Sequence, residues 1–391
     1  MKRLLFITTK YPLPLTSGDR LRAYNFLQIL SKEFDIDLLV FEKPPENKNT
    51  EVLPVHNIFY VPISPLERKI DFVAGMIRGL PIQVAYYTHR KVANKIKEII
   101  GSYDILFCHL ARTAEYAKDI SLPKILDYSD SFSLLYAPHQ RQKGFWGWFS
   151  FFEYPRMKAY EKKISQRFDT CLIASERDAN WLKDHCGVAR EKIHVVPNGV
   201  PENSLQQNRV EPAKPTLIFS GNMNYYPNVD AITFFVKNIF PDIAAHVPDV
   251  CLYIVGAYPS KEVRALASER IMVTGYVDNM SEYIKRATLA IAPLRIASGI
   301  QNKILEALAV GVPVVASRAA ADGLGLTPAM RSGVIVSSCE NMAGAIISLL
   351  RDPDKRVQLE QDAHEFISKQ YTQASISKKL FDLVVEMKII S

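Results

Sequence analysis

The sequence predicts an α/β protein of two Rossmann-like β/α/β domains facing each other across a cleft. Three observations predict it. The chain has 391 residues, too many for one ordinary core and suited to two. Short β-rich apolar runs alternate with amphipathic helical runs, the pattern of parallel strands joined by helical crossovers. One polar stretch, "VVPNGVPENSLQQNRVEPAKP" (195–215), breaks the alternation and reads as a linker. The expected division is 1–197 for the first domain, 198–214 for the linker and 215–372 for the second domain. Residues 373–391 are expected to form an amphipathic helix that packs back on the first domain.

The elements follow in order. "RLLFITT" (3–9) is a buried strand, and the loop "KYPLPLTSGDR" leads into the helix "DRLRAYNFLQILSKE". "DIDLLVF", "NIFYVPI", "YDILFCH", "PKILDY", "DTCLIAS" and "KIHVVP" continue the first series. "TLIFSGN", "VCLYIVG", "IMVTGYV", "TLAIAPL", "VPVVAS" and "GVIVSS" make the second. Two helices split near Asp352–Pro353 come after them.

Composition narrows the function. The chain is 48% hydrophobic and 23% charged, as a globular protein is. A net charge of +7 fits an anionic ligand, an anionic membrane surface or nucleic acid. No long Lys/Arg run or nucleic-acid module is present, so nucleic acid ranks last. The apolar run at the N-terminus stops after Ile7, too short for a signal peptide, and no run approaches the ~18 residues of a membrane span. The expectation is a cytoplasmic protein. The five cysteines are dispersed without a C-x-x-C pair, against disulfides or a zinc site. Asp35 and Asp37 lie inside a strand and make a poor metal pair, and no metal or cofactor is expected. Neither a strand-following G-x-G-x-x-G nor a G-x-x-x-x-G-K-[ST] occurs, which excludes the usual dehydrogenase and NTPase sites.

In parallel sheets, ligands bind beyond the carboxyl ends of the strands, so the chemistry is sought in those loops. Gly221 ends a strand where a backbone N–H can approach an anion, and Asn222 adds a side-chain donor; a plain turn is the alternative. "VTGYVDN" places Tyr276 and Val277 where backbone groups meet a planar base. "APLRIASGIQNKILEALA" is more specific. Leu294 ends a strand, and Ser298–Gly299 is expected to open the next helix, followed by Ile300 and Gln301. Free N–H groups at such a helix start favour phosphate, and Arg295 and Lys303 can neutralise further charge. Glu306, one turn beyond Asn302, is placed to accept bonds from both hydroxyls of a ribose. A surface Lys303/Glu306 ion pair is the alternative.

This segment resembles the donor site of GT-B glycosyltransferases, especially family 4, where a glutamate-x7-glutamate motif ends beside "A-A-G-x-P-V-V-A-S". Glu306 and "EALAVGVPVVAS" match its second half; the first glutamate falls on Ser298 and is missing. "GNMNYYPNVDAITFF", "GIQNK" and "KILDYSDS" are similar to a bacterial exopolysaccharide-associated subgroup. The resemblance implies ribose recognition by Glu306. It also implies metal-independent, retaining transfer from a nucleoside diphosphate sugar, with a UDP- or GDP-sugar favoured. The acceptor would be a saccharide or polyprenyl-linked saccharide bound by the first domain.

In that first domain the resemblance puts Gly18 near the donor diphosphate. It likens His109, at a strand end, to a family histidine that contacts the transferred sugar; a structural histidine is the alternative. Asp127 is a candidate to orient or deprotonate an acceptor hydroxyl, whereas Asp130 is expected to cap the following helix. The aromatic run containing Trp146, Trp148 and Phe149, flanked by basic residues, suits peripheral contact with the inner face of the cytoplasmic membrane. A packed helix or dimer surface is the alternative. Two rival functions share the architecture: a sugar-nucleotide epimerase, and a non-catalytic binding partner in polysaccharide assembly.

Overall fold

A computed structural model describes residues 1–15, 17–43, 53–139, 144–205, 212–326 and 330–386; the side chains of His139, Phe145 and Trp146 are outside that description. The chain divides into two compact units, residues 1–197 with 377–391, and residues 198–376.

Unit 1 is built on seven strands and flanking helices. They are β1 (Lys2–Thr8), α1 (Gly18–Leu30), β2 (Phe34–Val40), β3 (Asn57–Tyr60), α2 (Pro65–Ile77), β4 (Ile105–His109) and β5 (Lys124–Ser129). α3 (Phe132–Tyr136), α4 (Phe145–Ser165), β6 (Thr170–Ile173) and β7 (Ile193–Val195) follow. The sheet order is β3-β2-β1-β4-β5-β6-β7, every pair parallel. The central strands are apolar because both faces are covered: Leu4, Leu5, Phe6 and Ile7 are fully buried.

Unit 2 repeats the scheme. It runs β8 (Thr216–Ser220), α5 (Tyr226–Asn238), β9 (Cys251–Val255), β10 (Ile271–Gly275), β11 (Leu289–Ala292), α6 (Asn302–Ala309), β12 (Val314–Ser317) and β13 (Val334–Ser337). α7 (Met342–Arg351) and α8 (Pro353–Gln370) follow, and α9 (Gln373–Glu386) starts in unit 2 and from residue 377 belongs to unit 1; residues 387–391 lie outside the described residues. The parallel sheet of unit 2 has the order β10-β9-β8-β11-β12-β13. Asp352 accepts from Lys355 N and starts α8, the split expected at Asp352–Pro353. Of the expected linker, Glu202–Leu205 is a short helix; residues 206–211 lie outside the described residues.

Each sheet reverses its strand order once, between β1 and β4 in unit 1 and between β8 and β11 in unit 2. Diverging crossovers open a crevice at such a point. The candidate residues Gly18 and His109 follow or end the first pair of strands. Gly221, Leu294 and Lys303 follow the second pair.

Candidate functional site

In unit 2 the loops after β8 and β11 are tied by one lysine. Lys303 Nζ donates to Asn228 Oδ1 at 2.7 Å and lies 4.9 Å from the Phe219 ring centre. Asn228 donates from Nδ2 to the Asn222 carbonyl at 3.0 Å. The strand ends are pressed together around this link. Gly221 has φ 141°, and a Cβ there would stand 2.9 Å from Asn228 Nδ2. A Cβ on Gly256, after β9, would stand 1.7 Å from the Gly221 carbonyl oxygen, so only glycine fits.

Lys303 and Glu306 are both half-buried on α6. Burial lowers the Lys303 ammonium to about 8, against the opposing pull of Glu306. Burial raises the Glu306 carboxyl to about 7, against the opposing pull of Lys303. Lys303 spends one of its three donors on a neutral amide, which leaves two to offer an anion. The surface ion pair considered as an alternative is therefore not what forms.

Two expectations for this loop are corrected. Ser298–Gly299 does not open a helix; α6 begins at Asn302, with Gln301 at its cap. Gly299 sits at φ 59°, a left-handed turn that a right-handed helix does not contain. Ile300 then turns inward and is buried, and Gln301 Nε2 donates to the Ser298 carbonyl at 3.0 Å. Arg295 is no free phosphate clamp. Its Nε donates to Asp230 Oδ2 at 2.9 Å, its Nη2 to the other carboxylate oxygen, and it lies over the Phe234 ring. Leu294 is buried, with its carbonyl accepting from Ser317 Oγ. Tyr276 is exposed and Val277 half-buried just after β10.

In unit 1 the polar groups at the strand ends close on one another. Arg22 Nε donates to both Asp127 oxygens at 3.0 and 2.9 Å, and Nη2 donates to Oδ1 at 2.7 Å. Arg22 Nη1 donates to the Val196 carbonyl at 2.8 Å. His109 Nδ1 lies 2.9 Å from Asp127 Oδ2, and Nε2 lies 3.0 Å from the Asp19 carbonyl. Burial opposes ionisation of Asp127, but Arg22 and His109 hold its carboxyl at about 2.

These contacts correct two catalytic expectations. Asp127 is 0% exposed, and its oxygens are engaged by Arg22 and His109, so it orients those two side chains. His109 is 1% exposed with both ring nitrogens on internal acceptors, the structural alternative for this residue. Asp130 does not cap α3; Ser131 Oγ accepts from Leu134 N. Asp130 is left half-buried, its carboxyl raised to about 7 by burial and by Asp178. Gly18 is exposed at the first position of α1, and Asp19 pairs with Lys10 at 2.8 Å.

Comparison with known proteins agrees with this organisation. Residues 214–352 match the family described as glycosyl transferases group 1, and residues 22–204 match glycosyltransferase family 4. The chain belongs to the family 4-like GT-B glycosyltransferases. An uncharacterised 44.6 kDa protein in the cps region of Klebsiella pneumoniae is 22% identical over 405 residues, covering 98% of this chain and 99% of that one. Sucrose-phosphate synthase from Thermosynechococcus elongatus has the same fold, with a TM-score of 0.74 at 15% identity over 100% of both chains. HepE of Anabaena, solved with UDP and glucose, superposes with a TM-score of 0.70 at 12% identity, over 98% of this chain and 100% of that one.

Sequence reasoning missed three residues of this glycosyltransferase. Asn228 lay unremarked in "YYPNVD", although an amide in the first turn after a strand-end glycine is a ready partner for a facing cation. Arg22 was one base among several on α1, and nothing local signals a partner 105 residues away. Asp130 was assigned to a cap that Ser131 provides.

The aromatic run forms the start of α4. Trp148, Phe151 and Phe152 share one exposed face, with ring centres 5.1 and 5.5 Å apart along it. Phe149 turns inward instead and packs edge-on against Tyr136 at 5.6 Å, so it leaves the surface group. The Trp146 side chain lies outside the described residues. A second apolar stripe, unnoticed in the sequence, runs along α2: Leu66, Ile70, Val73 and Ile77, spaced by helical turns. Each of these four and of the three on α4 is at least 48% exposed. The two helices are neighbours, since Arg156 on α4 donates to the Leu80 carbonyl just beyond α2 at 2.8 Å. No described helix is long and apolar enough to cross a membrane.

Proposed function

We propose that this glycosyltransferase moves a sugar from a nucleoside diphosphate sugar, UDP- or GDP-linked, to a hydroxyl of a saccharide or lipid-linked saccharide in bacterial polysaccharide synthesis. The outcome expected from the resemblance is retention. The observation that carries the reading is the Lys303–Asn228–Asn222 link beside Glu306 at the unit-2 switch point. It offers a half-buried cation for a diphosphate and a half-buried carboxylate for ribose hydroxyls. HepE with bound UDP and glucose, and the cps-region relative, support the same reading.

As the anomeric carbon–oxygen bond breaks, negative charge grows on the leaving diphosphate. A fixed, poorly hydrated ammonium stabilises that charge more than it stabilises the ground state, which is how a site accelerates transfer. Lys303 fills this role without a metal ion. Unit 1 binds the acceptor. The exposed faces of α2 and α4 forgo about 1.5–3 kcal/mol per large apolar side chain unless something covers them. With Arg68, Lys69 and Arg78 alongside, an anionic lipid surface is the covering that fits.

Product analysis tests the reaction: donor plus membrane-extracted acceptor in the presence of EDTA should yield glycosylated product and free nucleoside diphosphate. Conversion of the donor without acceptor would replace this reading with an epimerase. For the surface, Phe151→Ser with Ile77→Ser should lose binding to anionic liposomes, and unchanged binding would refute the membrane contact.

A further inference from the structure

Arg112 lies in the short 3₁₀ helix after β4, Ala111–Tyr116, at the unit-1 switch point. Its guanidinium stands 5.0 Å from the Tyr87 ring centre and 5.6 Å from that of Phe132. Its Nε is sealed from solvent and has no hydrogen-bond partner among the described residues. The acids of the neighbouring strand-end loops are committed elsewhere. Asp19 pairs with Lys10 and accepts from Ser17 Oγ. Asp127 is saturated by Arg22 and His109. Asp130, two residues before Phe132, has a carboxyl that burial and Asp178 make hard to ionise. Arg112 reaches Asp19 only through space, where its charge helps keep that carboxylate ionised.

A guanidinium held between two aromatic faces has lost most of its freedom before any ligand arrives. A dry donor without an acceptor is costly, and the cost is recovered when an oxyanion takes the place. Its planar fork matches phosphate or carboxylate oxygens in pairs. The loops after β1, β4 and β5 converge here, in the unit that the proposed function assigns to the acceptor.

We propose that Arg112 is the anion-recognising residue of an acceptor subsite, so that the acceptor carries an oxyanion beside its reacting hydroxyl. The inference rests on unit 1 binding the acceptor. The oxyanion has two chemical sources: the phosphate that joins a saccharide to a lipid, or the carboxylate of an acidic sugar.

Calorimetric titration of the full chain separates them. The probes are farnesyl diphosphate, with farnesol as its uncharged control, and glucuronate. UDP and GDP serve as donor-site controls. The wild type should bind farnesyl diphosphate well above farnesol if the source is a lipid phosphate, or glucuronate if it is a sugar carboxylate. Arg112→Gln should weaken that binding at least tenfold, and Arg112→Lys should restore part of it. Nucleotide binding should stay unchanged in both variants. The proposal is overturned if neither anion binds the wild type, or if Arg112→Gln binds as tightly as the wild type. Loss of nucleotide affinity by the same factor would also overturn it, since Arg112 would then serve the donor. Failure of the nucleotides to bind even the wild type would strike the donor reading alone. If Arg112→Gln does not fold, Arg112→Lys decides by the ratio of anion to nucleotide affinity.

Discussion

The two switch points carry similar side chains and treat them in opposite ways. In unit 1, Arg22, Asp127 and His109 satisfy one another and are at most 1% exposed. In unit 2, Lys303 and Glu306 stay half-buried, and the hydrogen-bond acceptor of Lys303 is a neutral amide. The protonation behaviour follows. Asp127 is lowered from 3.8 to about 2, so its ionisation stabilises the fold above about pH 4, and that contribution is lost as pH falls towards 2. Glu306 is raised from 4.5 to about 7, so its share of stability drains away as pH rises across that interval. Lys303, lowered from 10.5 to about 8, costs stability while charged and returns it as pH rises above about 8. A closed network spends its charges on the fold, whereas an open one keeps them at a cost until a ligand arrives.

The largest break in this contrast should come from unit 1. Arg22→Met strands a fully buried carboxylate and should cost about 3–5 kcal/mol, lowering the thermal midpoint by about 10 °C in calorimetry. Lys303→Ala should leave the midpoint nearly unchanged yet cut turnover by about 10²–10³-fold, the scale of losing one group that stabilises transition-state charge. Arg295→Ala should cost less than about tenfold in the same assay, because Asp230 already answers its charge. An equal loss in the two variants would erase the distinction between a free and a compensated cation. The smallest effect concerns pH. Nucleoside diphosphate affinity should fall below about 7, as Glu306 gains a proton, and above about 8, as Lys303 loses one. Glu306→Gln should lose the fall below about 7 and keep the fall above about 8 in a calorimetric pH series.

Much of this was readable beforehand. Strands buried on both faces are continuous apolar runs such as "RLLFITT" and "VPVVAS", and the glycines at their ends mark where backbones must approach. The helix after β11 was placed early because Ser–Gly resembles a helix start; the left-handed Gly299 and the buried Ile300 are tertiary facts. Lys303 and Glu306 were found by local spacing on one helix. The Arg22–Asp127–His109 cluster joins three distant segments, and no local pattern encodes such a meeting. Hence Asp127 and His109 looked like open strand-end groups, whereas the fold buries them in a closed network. The α2 stripe failed for the opposite reason: apolar residues at helical spacing signal a buried face, and only the fold shows this face uncovered.

The decisive measurement is thermal unfolding of wild type, Lys303→Ala and Asp127→Asn against UDP, GDP, dTDP, CDP and ADP without metal. A ligand at 100 times its dissociation constant stabilises by about 2.7 kcal/mol, which a melting curve resolves. One diphosphate should raise the midpoint of the wild type, and should raise that of Asp127→Asn as much from a lower start, while Lys303→Ala stays flat. A full ligand shift in Lys303→Ala, or none with any diphosphate in the wild type, would contradict the placement of the donor diphosphate at Lys303.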